Sequence, residues 1–380
     1  MNRNIKILLA AFALLGVAGS CTKMRDVGVL NTGNFTDTAG PLKGATDINL
    51  GVAIDYTPMM RDANYSAVAK RDFGGVTFGY QMKHGAIVQN DGSFNYTKTD
   101  SLVNICTTLG LKIYGHTLGW HANQNATYLK SYAGITANAS AAQIAAKLDT
   151  ALGNFITSTV TRYKGQVRAW DVVNELFADN GSIRNNSNTA TSASDVLVWS
   201  NYLGRNYAFK AFNYARAADS TALLFINDYA LESNSAKIDS LIAMVSELKG
   251  RGAKVDGIGT QMHIAWNTTY AGIDAMMKKL AATGLLIRIS ELDVKVNPMP
   301  KSGFIFTPAM ASYQADMYQY VIKSYMANIP KAQQYGITIW GITDNTSWLY
   351  NNGQDFPLLY NADYSKKPAY AGVLKALKGK

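Results

Sequence analysis

Two glutamates in this chain stand where a carboxylate could serve as acid, base or nucleophile. Glu175 closes the run Ala169-Trp170-Asp171-Val172-Val173-Asn174-Glu175, and Glu291 lies within Ile289-Ser290-Glu291-Leu292-Asp293-Val294. Val167 to Val173 is short, β-branched and bounded by Gly165, the pattern of a buried strand. Asn174 and Glu175 therefore fall where that strand runs out. Polar residues at the C-terminal ends of β/α-barrel strands read as catalytic. A lone glutamate there could equally cap the next helix; a second carboxylate at another strand end favours chemistry.

The elements that must position this pair repeat along the chain. Eight short apolar segments occur: Leu50 to Ala53, Gly75 to Phe78, Lys112 to Gly115, Val167 to Val173, Leu223 to Ile226, Val255 to Gly259, Leu286 to Ile289 and Ile337 to Trp340. Amphipathic stretches separate them, such as Ile144, Leu148, Leu152, Phe155, Ile156 and Val160, spaced at three and four residues, or Ile238, Leu241 and Leu248. Strand and helix alternating eight times predicts an α/β fold, a (β/α)8 TIM barrel forming one catalytic domain over 45–380.

Polar and aromatic residues accumulate just past these strands. His116, Trp120, His121, Asn123 and Gln124 follow the third, Asn227-Asp228-Tyr229 the fifth, Gln261 and His263 the sixth, and Trp340, Asp344 and Trp348 the eighth. Each could singly be a hydrogen-bonded core residue, but three of four histidines and three of six tryptophans share one rim with both glutamates. Two carboxylates suit glycosidic cleavage, which needs an acid for the leaving oxygen and a base or nucleophile at the sugar carbon. Tryptophan faces can stack on pyranose rings while amides and histidines bind hydroxyls. A zinc site of His116, His121, His263 and a glutamate is the weaker alternative, because no HExxH or other ligand spacing supports it. No metal is expected.

The N-terminus carries Arg3 and Lys6, the apolar run Ile7 to Val17, then Ala18-Gly19-Ser20-Cys21. The apolar run is short for a bilayer span and matches an export signal. It resembles a bacterial lipoprotein signal over 1–20, with Cys21 as the lipidated first mature residue; ordinary cleavage leaving Cys21 free is the alternative. The expected location is the bacterial outer membrane, on its periplasmic or surface side, with the lipid anchor as the only membrane contact. The polar stretch 21–44 reads as a tether. Cys106, the only other cysteine, lies in the periodic run Leu102-Val103-Cys106-Leu109 and reads as a buried thiol. The net charge of +10 falls to +8 without Arg3 and Lys6, and with no basic cluster nucleic-acid binding is not expected.

From about Leu42 to Lys378 the chain resembles glycoside hydrolase family 10, the retaining endo-β-1,4-xylanases. Gly115 to His121 is similar to that family's GHTLVWH, Trp170 to Glu175 to WDVVNE, Gly257 to His263 to GIGxQxH, Ser290 to Asp293 to [ST]ELD, and Thr338 to Trp348 to its closing WGxTDxxSW. A monomer is the expected state. The resemblance implies hydrolysis of internal bonds in xylan without a cofactor. It implies Glu175 as acid/base, Glu291 as nucleophile and Asn174 on the 2-hydroxyl of the attacked sugar. It further implies that His263 bonds Glu291 with Asp293 in support. Lys83, His116, Trp120, Asn123, Tyr229, Gln261, Trp340 and Trp348 are the remaining implied substrate contacts. An ionised Glu291 would disfavour ionisation of Glu175 until the sugar ester forms, and the retaining route calls for carboxyls about 5–5.5 Å apart.

One departure concerns the second strand. The family's TAENEMKW is replaced by Thr77-Phe78-Gly79-Tyr80-Gln81-Met82-Lys83-His84, so Gly79 and Tyr80 stand for a Glu-Asn pair. Asn123 also stands where the family commonly has Gln. Recognition of the second sugar is expected to differ, which leaves a decorated xylan or another β-glycan as alternative substrates. A surface glycan binder without catalysis is the alternative from another class, and the intact glutamate pair argues against it.

Overall fold

The computed structural model describes residues 34–301 and 303–379. The expected signal segment, Cys21 and the first part of the tether lie outside the described residues. The barrel is built from β1 (Leu50–Ile54), β2 (Gly75–Phe78), β3 (Lys112–Gly115), β4 (Val167–Asn174), β5 (Leu223–Asp228), β6 (Gly257–Thr260), β8 (Leu286–Lys295) and β9 (Gln334–Ile339). All pair in parallel, and β9 returns to β1 through Leu50↔Ile337 to close the ring. An extra short strand, β7 (His263–Ala265), pairs with the extension of β8 at His263↔Asp293. Apolar patterning does not announce β7, because it lies above the barrel wall and carries a site residue.

The strands are buried along almost their whole length, as expected where helices cover the outside and side chains fill the inside. The helix Ala141–Arg162 shows how the covering layer forms. Ser140 and Gln143 make a reciprocal capping box, and Leu148, Leu152, Phe155, Ile156 and Val160 bury one stripe. Such a cap stabilises by about 1 kcal/mol and each buried large apolar side chain by about 1.5–3 kcal/mol, so packing dominates. Cys106 is buried in the helix Thr97–Thr108, with its thiol pushed up to about 12 by burial.

The polar stretch expected as a tether is docked over its described part. Phe35 and Leu42 are buried, Phe35 against Ala315 and Ala371. Tyr370 donates its hydroxyl to the Gly40 carbonyl at 2.7 Å, and Asp72 accepts from the Leu42 N–H at 3.2 Å. Two isolated apolar side chains without periodicity, together with these hydrogen bonds, lay this stretch on the barrel. Among the described residues no helix is long and apolar enough to cross a membrane.

Candidate active site

β8 presents Glu291 and Asp293, two residues apart and so on one face of the strand. Glu291 Oε1 accepts from Asn227 Nδ2 at 2.8 Å, and Oε2 faces His263 Nε2 at 3.3 Å. The other nitrogen of that ring, Nδ1, lies 2.8 Å from Asp293 Oδ2, which also accepts from Trp348 Nε1 at 3.0 Å. Burial alone would lower the His263 pKa, but Asp293 and then Glu291 raise it to about 10. Both ring nitrogens then carry protons to donate. Burial alone would raise the Glu291 carboxyl; His116, the His263 hydrogen bond and charge, and Lys83 outweigh it and hold Glu291 at about 2. The carboxylate is kept ionised with its oxygens fixed.

Glu175 follows β4 with a positive φ of 53°, its N–H bonded to the Asn227 carbonyl at 2.9 Å. Gln261 Nε2 donates to Glu175 Oε1 at 3.1 Å and to Asn174 Oδ1 at 3.3 Å. Asn174 Oδ1 also accepts from Asn227 Nδ2 at 2.9 Å. A chain of three amides thus joins the two carboxylates. Because the Asn174 oxygen takes both of these bonds, its NH2 has no acceptor among the described residues and is left for a ligand. Asn227 has no such freedom: its Oδ1 accepts from Ser290 Oγ at 2.7 Å. Gly259 on the adjacent strand makes room for it, since a Cβ there would stand 2.2 Å from Asn227 Oδ1.

A cleft of about 720 Å³ contains both glutamates and Lys83, His116, Trp120, Asn123, Asn174, Tyr229, Gln261, His263, Trp340 and Trp348. His116 is buried, Nδ1 2.9 Å from Asp171 Oδ2, and Asp171 Oδ1 accepts from Tyr114 OH at 2.7 Å. Lys83 lies over the Trp120 ring at 4.7 Å, and Trp340 meets the edges of His116 and His263. Trp348 is 61% exposed yet oriented by its bond to Asp293, a platform at the mouth. Asn123 is turned partly away, its N–H and Nδ2 on Asp195 Oδ2 at 3.1 and 3.4 Å. Tyr229 offers only its ring, because its hydroxyl donates to Asp179 at 2.7 Å and accepts from Arg184 Nη2 at 2.7 Å.

Other rim residues have structural partners. Gln124 donates to the carbonyls of Trp120 and Leu197, and Asp344 pairs with Lys367 at 2.8 Å. His121 is held low, at about 4, by burial. The three histidines of the zinc alternative thus have different surroundings, and among the described residues no group of three His, Cys, Asp or Glu could hold a metal.

Three contributors were not singled out from sequence. Asn227 was visible as a strand-end amide, but its bridging role depends on β5 lying beside β4 and on its side chain reaching across to β8. Arg184 lies in the polar stretch after Glu175 and donates Nε to the Glu175 carbonyl at 2.8 Å. Asp55, at the end of β1, lines the same cleft.

The sequence profile described as glycosyl hydrolase family 10 matches residues 41–376. The chain belongs to this family. Among curated relatives, it is 35% identical over 358 residues to the endo-beta-1,4-xylanase Xyn10C of Cellvibrio japonicus, covering 88% of this chain and 57% of the relative. An endo-1,4-beta-xylanase A of the same species is 32% identical, covering 90% of this chain and again 57% of the relative. The chain thus spans less than two thirds of the length of these relatives. Among solved structures, the family 10 enzyme of Paenibacillus barcinonensis superposes with a TM-score of 0.81 at 29% identity, over 88% of this chain and 97% of the other. A mutant xylanase 10C of Cellvibrio japonicus in complex with xylopentaose gives 0.80 at 32% identity, over 90% and 69%.

Proposed function

We propose that this family 10 protein is a retaining endo-1,4-β-xylanase working by double displacement. The observation that carries the reading is the contrast between an ionised Glu291 clamped by Asn227 and His263 and a Glu175 reached through a single amide across the same cleft. Glu291 attacks the anomeric carbon while Glu175 gives its proton to the departing glycosidic oxygen. A glycosyl ester forms on Glu291, cancelling its charge. Glu175, now a carboxylate, takes a proton from water, and the resulting hydroxide equivalent displaces Glu291 with net retention. The free NH2 of Asn174 suits the 2-hydroxyl of the attacked sugar, and Trp120, Trp340 and Trp348 supply faces and edges for neighbouring rings. The names of the relatives support xylan as the polymer.

The test is reducing-sugar release from linear xylan, with the product anomer followed by proton NMR, beside Glu291→Ala. Early β-anomer from the parent and none from the variant is expected. Glycan binding without any release by the parent would overturn the reading. Export and lipid attachment at Cys21 form part of the same proposal, supported by the basic and apolar segment ahead of Cys21. Fatty-acid labelling lost in Cys21→Ser is the expected result, and equal labelling would exclude that anchor.

A further inference from the structure

Asp55 ends β1 and occupies the N-cap of the short helix Tyr56–Arg61. An aspartate there ordinarily accepts from the second or third helical N–H. Asp62 at the next helix does so, accepting from the N–H groups of Asn64 and Tyr65 at 2.9 and 3.2 Å. Asp55 makes no such cap. Among the described residues no donor reaches its carboxyl oxygens, and the side chain lines the cleft of the two glutamates instead. Asp55 is an exposed residue whose side chain opens onto that cleft; partial desolvation there raises its pKa, and Lys83 partly offsets the rise.

Two neighbours give this placement meaning. Gly79, at the end of β2, is where the family resemblance leads one to expect a glutamate. A Cβ on residue 79 would stand 2.8 Å from Asp55 Oδ1, so a side chain at 79 would make Asp55 turn away from its present position. Lys83 is 7% exposed, and its ammonium has no ion-pair partner among the described residues. A free carboxylate and a nearly buried ammonium therefore share one cleft wall without pairing. The exposed carboxylate can be solvated, whereas the nearly buried ammonium is costly to leave unbonded unless a ligand or water reaches it.

We propose that Asp55 is a specificity-determining substrate contact, which together with Lys83 grips vicinal hydroxyls of the sugar ring next to the one under attack. Asp55 accepts from two hydroxyls and Lys83 donates to one, a match for a neutral pyranose and a mismatch for a ring bearing a carboxylate or sulfate near Asp55. The recognition carboxylate has moved from the end of β2 to the end of β1, and Gly79 is the space that admits it. This inference rests on the glycan-hydrolase reading above.

The test compares kcat/KM for xylotetraose with kcat/KM for 4-nitrophenyl β-xyloside, whose single sugar does not reach Asp55. The ratio is expected to fall by about tenfold or more in Asp55→Ala and by less in Asp55→Asn, whose amide oxygen can still accept. A ratio within about twofold of the parent in Asp55→Ala, or a parallel fall on both substrates, would overturn the role of Asp55. A parent inactive on both substrates would instead overturn the xylosidic reading on which it rests.

Discussion

Glu291 and Glu175 hold equivalent places in the barrel but very different ones in the site. Glu175 stands just past β4 and Glu291 where β8 runs on beyond the barrel wall, each with its backbone N–H bonded sideways, Glu291 to the Gln261 carbonyl at 3.0 Å and Glu175 to the Asn227 carbonyl at 2.9 Å. Their side chains then diverge. Glu291 is 4% exposed, with one oxygen on an amide and the other on a histidine that Asp293 keeps protonated. Glu175 is half-buried, with a single amide bond to Oε1. A nucleophile works best ionised and immobile; a group that must release and regain a proton needs an oxygen left open to the leaving group and to water. The barrel supplies equal backbone positions, and the neighbours make the chemical difference.

The largest expected effects separate the two glutamates by leaving group. Glu291→Ala should lose turnover by ~10⁴-fold or more on both xylan and 2,4-dinitrophenyl β-xyloside, because no ester can form. Glu175→Ala should lose as much on xylan, yet show a dinitrophenolate burst in stopped flow, since that leaving group departs without a proton. Equal loss of the burst in both variants would erase the distinction.

A smaller effect is expected from His263→Asn. Without the imidazolium, Glu291 should rise from about 2 toward its ordinary 4.5, moving the acid limb of kcat/KM upward. The rate should fall about 10- to 100-fold, as for a lost hydrogen bond to a charge. Stability follows the same groups. His263, raised from 6.5 to about 10, stabilises fully below about pH 6.5 and loses this as pH rises through 10. Glu291, lowered from 4.5 to about 2, stabilises above about 4.5 and loses this as pH falls through 2. Thermal unfolding of His263→Asn should therefore lack the parent's decline between pH 6.5 and 10; an unchanged decline would assign it elsewhere.

The smallest effect tests the looser side. Arg184 ties the loop after β4 to the Glu175 carbonyl and to the Tyr229 hydroxyl. Arg184→Ala should cost about 1–3 kcal/mol in stability and several-fold in kcat on xylan, with less change in the dinitrophenolate burst. A larger loss in the burst than in xylan turnover would mean that Arg184 acts outside the acid/base side.

Much of this was legible in the sequence because barrel strands are short, apolar and evenly recurring, and the site residues cluster just past their ends. The observed strands fall on all eight expected segments, within a few residues at Val255 and Ile337. The docking of Phe35 and Leu42 was not legible, since two apolar residues in a polar stretch carry no period. Nor was β7, which pairs only because β8 runs on past the barrel wall.

The site divides along the same line. Residue type and position after a strand pointed to Glu175, Glu291, Asn174, Gln261 and His263, because a carboxylate, amide or imidazole must be present in the chain before it can be placed. Tertiary structure alone decided that Asn227 bridges Asn174 and Glu291, that the Tyr229 hydroxyl is spent on Asp179 and Arg184, and that Asp55 leaves its helix cap for the cleft beside Gly79. Those outcomes depend on which strands become neighbours and how far each side chain reaches across them. Contacts between residues tens to hundreds of positions apart leave no local pattern to read.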